Sequence, residues 1–280
     1  MNFRQALAWS QRRLSESGID TARLDSLILL EDNSSIDRAK ILAEPEAMLT
    51  TSSMKLFKQQ VHQRCQHTPL AYIRQKTNFY GRVFYIDRRV LQPRPESELL
   101  IEELDKFLAD LSCDEINVID IGTGSGCLII TAKLNHPNIA AYASDISNDS
   151  LDVARINVAT LKAKVTFLTG NLISPFDPKL WLKPSIVMAN LPYVPDSWPI
   201  NLPAQYEPAI AIFGGPDGLR LYDQLFQQLS NLVQPPIAVI CEAMPPQHQA
   251  LVKLALTHGY HLIRINDFIL SFSYSVPRPA

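Results

Sequence analysis

Apolar positions change their period along these 280 residues. Over residues 2–67 Phe3, Leu7 and Leu14 fall at helical spacing, as do Leu24, Leu27, Ile28 and Leu30. Gly18 and Asn33-Ser34-Ser35 break this stretch into helices, and Leu56, Phe57 and Val61 resume the pattern over 54–67. Residues 69–93 lose the helical period. Pro69, Tyr72, Phe79, Tyr80, Gly81, Val83, Phe84, Tyr85 and Ile86 read as short strands about a turn, a hairpin linker. Pro93-Arg94-Pro95-Glu96-Ser97-Glu98 then opens a helix, with proline and acids where a first turn favours them. From residue 116 strands and helices alternate. Strands are expected at 116–121, 140–144, 165–168, 185–189 and 237–241, and helices at 128–134, 150–161, 219–233 and 247–258. Two closing strands follow at 262–265 and 268–274. This order predicts an α/β fold, a mostly parallel sheet with helices on both faces. Three segments are expected: a helical domain over 1–68, a hairpin linker over 69–93 and the sheet domain over 94–280.

Composition narrows the class. A hydrophobic fraction of 46% supports a folded core. The 26 basic and 28 acidic residues leave no basic excess, so direct nucleic-acid binding is not expected. No run approaches the ~20 apolar residues of a membrane span, and the first residues lack a signal-peptide core. The expectation is a cytoplasmic monomer. Cys65, Cys113, Cys127 and Cys241 are scattered and read as free thiols. His62, His67 and His136 have no partner spacing for a metal, and Trp181 and Trp198 read as packing or loop residues.

The candidate chemistry lies at two strand ends. Asp120 precedes Gly122-Thr123-Gly124-Ser125-Gly126, with glycine at every second position. This is neither the dinucleotide fingerprint nor a P-loop, which needs a lysine. A carboxylate at Asp120 would repel a pyrophosphate but attract an ammonium, while the helix N-terminus behind the loop favours a carboxylate. An amino-acid moiety is matched at both ends. Asp145 closes the next strand, where an acid holds ribose hydroxyls. Asn171 and Leu172 follow the third strand and are placed at an adenine. The ligand implied is S-adenosyl-L-methionine. Downstream, Asn190-Leu191-Pro192-Tyr193 follows the apolar Ile186-Val187-Met188-Ala189. A planar nitrogen is a poor nucleophile. The side-chain oxygen of Asn190 and the carbonyl of Leu191 could accept its two N–H hydrogens, and Tyr193 could lie against the planar group. Asn190 thus serves both the acceptor and the cofactor side. The blander readings are a tight turn with a capping acid and a proline-stiffened loop.

At these residues the chain resembles the HemK/PrmC family, the release factor glutamine methyltransferases. The resemblance extends through Pro69-Leu-Ala-Tyr72, Phe79-Tyr80-Gly81, Leu91-Gln-Pro-Arg-Pro-Glu-Ser-Glu98, Asp145-Ile-Ser147, Ala154-Arg155-Ile-Asn157, Glu207-Pro208 and Phe213-Gly-Gly-Pro-Asp-Gly-Leu219. It implies a Rossmann-like class I methyltransferase sheet, S-adenosyl-L-methionine as cofactor, peptide-chain release factors as partners, and the glutamine of their Gly-Gly-Gln tip as substrate. The helical N-terminal domain would recognise that substrate. The resemblance places Arg94 and Glu96 near the cleft, where a charged helix start is the simpler reading. The chain departs from the family pattern at Leu191, where the family usually carries proline, and at Ser97, where it carries threonine. The C-terminal Asn266-Asp-Phe-Ile-Leu-Ser-Phe lacks the usual glycine-and-arginine segment.

Two other readings stay open at this point. Asn-Leu-Pro-Tyr is similar to the motif of adenine dimethyltransferases acting on ribosomal RNA, which would predict a basic surface. A cofactor-binding module without catalysis would predict loss of Asp120, Asp145 or Asn190, and all three are present.

Overall fold

The computed structural model describes residues 1–111 and 115–274. The helical spacing at the N-terminus resolves into α1 (Phe3–Glu16), α2 (Ala22–Ser34), α3 (Arg38–Ala43) and α4 (Thr51–Cys65). The first helix starts where Asn2 and Gln5 exchange side-chain and backbone hydrogen bonds, a reciprocal cap. Phe3, Leu14, Leu29, Leu30, Phe57 and Val61 form the core of this helical region. The one buried acid there, Asp25, accepts from Arg64 Nε at 2.7 Å, which offsets the cost of burying its charge.

Residues 70–74 correct the sequence reading. They form a short helix, α5 (Leu70–Arg74), rather than strand. Pro69 precedes its first turn, and Ala71 and Tyr72 turn inward. One helical turn is too short to show a period, so its tyrosine resembles strand composition. The hairpin is confined to β1 (Thr77–Phe79) and β2 (Arg82–Phe84). Its two-residue turn, Tyr80-Gly81, has positive φ at both positions, the geometry that matches strand twist. By contacts, Met1–Lys76 with Ile200–Tyr206 make one compact unit and the remaining described residues make a second.

In the second unit, a 3-10 turn (Pro95–Ser97) leads into α6 (Glu98–Asp110). There follow β3 (Asn117–Ile121), α7 (Cys127–Asn135), β4 (Ala140–Asp145), α8 (Asn148–Leu161), β5 (Thr166–Thr169) and β6 (Ser185–Ala189). The unit closes with α9 (Arg220–Ser230), β7 (Ala238–Glu242), α10 (His248–Thr257), β8 (Tyr260–Asn266) and β9 (Ile269–Tyr274). The seven strands lie in the order β5-β4-β3-β6-β7-β9-β8. The first five are parallel and β9 pairs antiparallel to both β7 and β8. Strands β3, β6 and β7 are buried at every residue, which explains their unbroken apolar runs. From β3 the chain moves outward through β4 and β5, then returns to β6 on β3's other side. That reversal opens a crevice at the carboxyl ends of β3 and β6, where open α/β sheets bind ligands.

Among the described residues Cys65, Cys127 and Cys241 are free thiols, and Cys113 lies outside them. No helix among the described residues is long and apolar enough to cross a membrane. Trp181 is packed in the core, and Trp198 is exposed.

Candidate active site

A cleft of about 300 Å³ occupies this crevice, a size suited to a small organic ligand. Its floor is the loop from Gly122 to Gly126. The backbone amides of Gly122 and Thr123 both donate to Ser144 O, at 2.8 and 3.0 Å, so β4 shapes the turn. Gly124 lines the cleft with φ +55°, and a Cβ there would meet no protein atom within 4 Å. The space that glycine leaves is open to the cleft. Asp145 sits half-buried on the wall. Its Oδ2 accepts from Gly124 N and its Oδ1 from Ser147 N, both at 2.9 Å. Burial raises its pKa, and those two backbone N–H groups oppose the rise.

Asp120 lies beneath this loop. Thr123 Oγ1 donates to its Oδ2 at 2.6 Å, while its Oδ1 is buried with no hydrogen-bond partner. Burial pushes its pKa up to about 7, against the hydrogen bond from Thr123. An orphaned acidic oxygen under a glycine cradle fits a cationic group bound above it. Such a cation would return the carboxyl to its charged form.

The opposite wall carries Asn190, Leu191 and Pro192. Asn190 Nδ2 donates to Ser97 Oγ and to Glu242 Oε2, both at 2.9 Å. Ser97 Oγ donates to the same Glu242 oxygen at 2.6 Å, and Tyr193 Oη donates to Oε1 at 2.9 Å. Glu242, 1% exposed, is thus the acceptor of three side chains. Burial raises its pKa, opposed by the hydrogen bonds from Ser97, Tyr193 and Asn190. Burial together with Glu242 also raises the pKa of the Tyr193 phenol. Leu191, the departure from proline, uses the N–H that proline lacks. It donates to Tyr222 Oη at 3.2 Å, and that hydroxyl in turn donates to the carbonyl of Glu242.

The Phe213–Leu219 segment braces this wall. Gln247 Nε2 donates to the carbonyls of Tyr193 and Asp217, at 2.7 and 2.9 Å. A Cβ on Gly214 would lie 2.2 Å from Pro192 O, and one on Gly218 2.0 Å from Tyr193 O, so only glycine lets the two loops meet. Asn157 joins the linker to the glycine loop. It accepts from Tyr85 N at 2.7 Å and donates to Ser125 O at 2.9 Å.

Of the residues singled out in the sequence, Gly122, Thr123, Gly124, Ser125, Asp145, Asn171, Leu172, Asn190, Leu191, Pro192 and Arg94 line the cleft. Four do not. Asp120 lies under the floor, Gly126 caps α7, and Tyr193 turns its hydroxyl to Glu242. Glu96 is exposed, because the 3-10 turn aims its neighbour Ser97 inward instead. Arg94 Nη2 pairs with the buried Glu207 at 2.7 Å. Sequence reasoning missed Tyr222, Glu242 and Gln247, and named Ser97 only as a departure from the family pattern. The available signal was an acid closing the apolar run Ala238–Cys241, at the end of the sheet where ligands bind. No cluster of metal-ligating side chains occurs among the described residues.

Comparison with known proteins bears on the family of the chain. A family model described as the PrmC N-terminal domain matches residues 5–74, and one described as the methyltransferase small domain matches 94–193. A release factor glutamine methyltransferase of Bacillus anthracis is 34% identical over 269 residues, 93% of this chain and 93% of that protein. One from Moorella thermoacetica is 34% identical over 92% of this chain and 91% of its own. Among solved structures, a methyltransferase from Pyrococcus furiosus superposes with a TM-score of 0.50 at 14% identity, covering 70% of this chain and 91% of that one. The hMettl16 catalytic domain, solved with an RNA hairpin, gives 0.53 at 14% identity, covering 69% and 76%. At such identities these two structures speak for the Rossmann-like fold alone. With the sequence relatives matched across nearly their full length, the chain belongs to the family of release factor glutamine methyltransferases.

Proposed function

We propose that this protein transfers a methyl group from S-adenosyl-L-methionine to the side-chain amide nitrogen of the glutamine in the Gly-Gly-Gln motif of peptide-chain release factors. The observation that carries this reading is the state of Asn190. Its Nδ2 is turned toward Ser97 Oγ and Glu242 Oε2, which lie close enough together to share an N–H, and its Oδ1 accepts from no described residue. That leaves its oxygen as an acceptor suited to an N–H of a planar amide. The Leu191 carbonyl is a second such acceptor.

When bound, the cofactor supplies an electrophilic methyl on a sulfonium. Asp145 would hold its ribose hydroxyls, Gly122–Ser125 would cradle its amino-acid end above Asp120, and Asn171 and Leu172 would flank its base. The residues of the other wall orient the glutamine. Two acceptors fix the plane of the amide and therefore the direction of its lone pair, and positioning of this kind supplies much of the rate. No ionised base is needed beforehand, because the N–H proton becomes acidic as the nitrogen forms its new bond. The helical unit, with its own core, would recognise the release factor. The enzyme would act as a monomer in the cytoplasm, without direct nucleic-acid contact.

The test is mass spectrometry of the Gly-Gly-Gln peptide after incubating release factor, protein and S-adenosyl-L-methionine, beside a reaction on ribosomal RNA. One added methyl on glutamine, and none on RNA, is expected. Methylation of RNA adenine alone would overturn the reading.

A further inference from the structure

Resting on that reading, we propose that Glu242 is a positioning residue that sets which way round the Asn190 amide stands, and so makes the site accept an N–H donor. A primary amide presents nearly the same shape after a half-turn of its terminal group. Something must choose between oxygen outward and nitrogen outward.

Asn190 faces two polar groups on its inner side, Ser97 Oγ and Glu242 Oε2, each 2.9 Å from Nδ2. A serine hydroxyl alone cannot choose, since it both donates and accepts. Here its proton is committed to Glu242 at 2.6 Å, so toward Asn190 it can only accept. The carboxylate itself has no proton to give. Asn190 therefore meets two acceptors, one direct and one relayed, and must turn its nitrogen inward. Tyr193 occupies the other carboxylate oxygen, so the whole group is held in place. Glu242 ends β7 beside β6, the strand that leads into Asn190, so the sheet sets the spacing. Burying an acid here costs stability, as its raised pKa records. A neutral residue would be cheaper if packing were its only role.

The substitution Glu242→Gln tests this. Glutamine keeps the shape but carries a donor, so it can satisfy Asn190 in either orientation. The parent and variant would be compared by single-turnover methylation of release factor, with cofactor Kd by calorimetry and Tm alongside. The expected result is a loss of about 10-fold or more in rate, with Kd within about twofold and Tm unchanged or higher, because a buried charge has gone. A second variant sharpens the test. With Tyr193→Phe in addition, the introduced amide loses its hydroxyl acceptor and turns its N–H inward, toward Ser97 and Asn190. The double variant should then lose more than the product of the single losses. An undiminished rate in E242Q, a loss that only tracks Tm or Kd, or losses that simply multiply would overturn the proposal. If the parent itself leaves glutamine unmodified, the functional reading fails first, and this proposal with it.

Discussion

The two walls of the cleft are built in different ways. The glycine-loop wall is local. Asp120 and Thr123 lie three residues apart, and Asp145 reaches Gly124 from the very next strand. Most of its polar partners are backbone N–H groups. The Asn190 wall is assembled from afar. Ser97 comes 93 residues before Asn190, Glu242 52 after it, and Gln247 reaches Tyr193 across 54. Backbone recognition suits a cofactor that many enzymes share, since it depends on loop shape more than on side chains. Orienting one amide needs side chains with a defined donor and acceptor sense, and these the sheet must bring together.

This contrast can be broken experimentally. The largest effect is expected at the assembled wall. Asn190→Ala should lower kcat by about 10²- to 10³-fold, as loss of a preorganised polar group does, while calorimetry shows cofactor affinity within about threefold. Equal losses in both quantities would mean that the walls are not separable.

Next comes the acid buried beneath the glycine loop. The folded pKa of Asp120 is raised to about 7 from an ordinary 3.8. Its contribution to stability is therefore fully present below pH 3.8 and is lost as pH rises through about 7. Asp120→Asn should flatten the fall in stability of the cofactor-free protein over that window. The difference from the parent should reach the order of a few kcal/mol at pH 7. Denaturant melts at several pH values measure this, and parallel pH curves would refute the assignment.

A smaller effect is expected from Asp145→Ala, which should weaken cofactor affinity about 10- to 100-fold and leave kcat at saturating cofactor nearly unchanged. Titration calorimetry showing unaltered affinity would remove Asp145 from the cofactor wall. The smallest belongs to Leu191→Pro. It deletes the N–H donated to Tyr222 but keeps the carbonyl and stiffens the loop. Rates on release factor should stay within about fivefold, since one net hydrogen bond is worth ~1 kcal/mol. A collapse would show that the Tyr222 contact is essential to the wall.

The unequal legibility of the two walls has the same origin. Gly122–Gly126, Asp145 and Asn190–Tyr193 stand at ends of apolar strands, where period and turn chemistry mark them directly. Helices α1, α2 and α4 are legible because each repeats its apolar face over several turns. Helix α5, one turn long, has no such repetition. Ser97 and Glu96 are neighbours of equal promise in sequence, and the direction of a 3-10 turn alone decides which enters the site. Asp120 has the sequence position of a wall residue, yet the loop closes over it.

By itself the sequence determined the alternation of strands and helices from residue 116, the glycine cradle and the amide motif, because periodicity and turn preference act over a few residues. Only the tertiary structure decided that Glu242 and Ser97 hold Asn190, that Gly214 and Gly218 let one loop brace another, and that Leu191 finds Tyr222. Those contacts join segments tens of residues apart or more, and it is strand order in the sheet that brings them within hydrogen-bond reach.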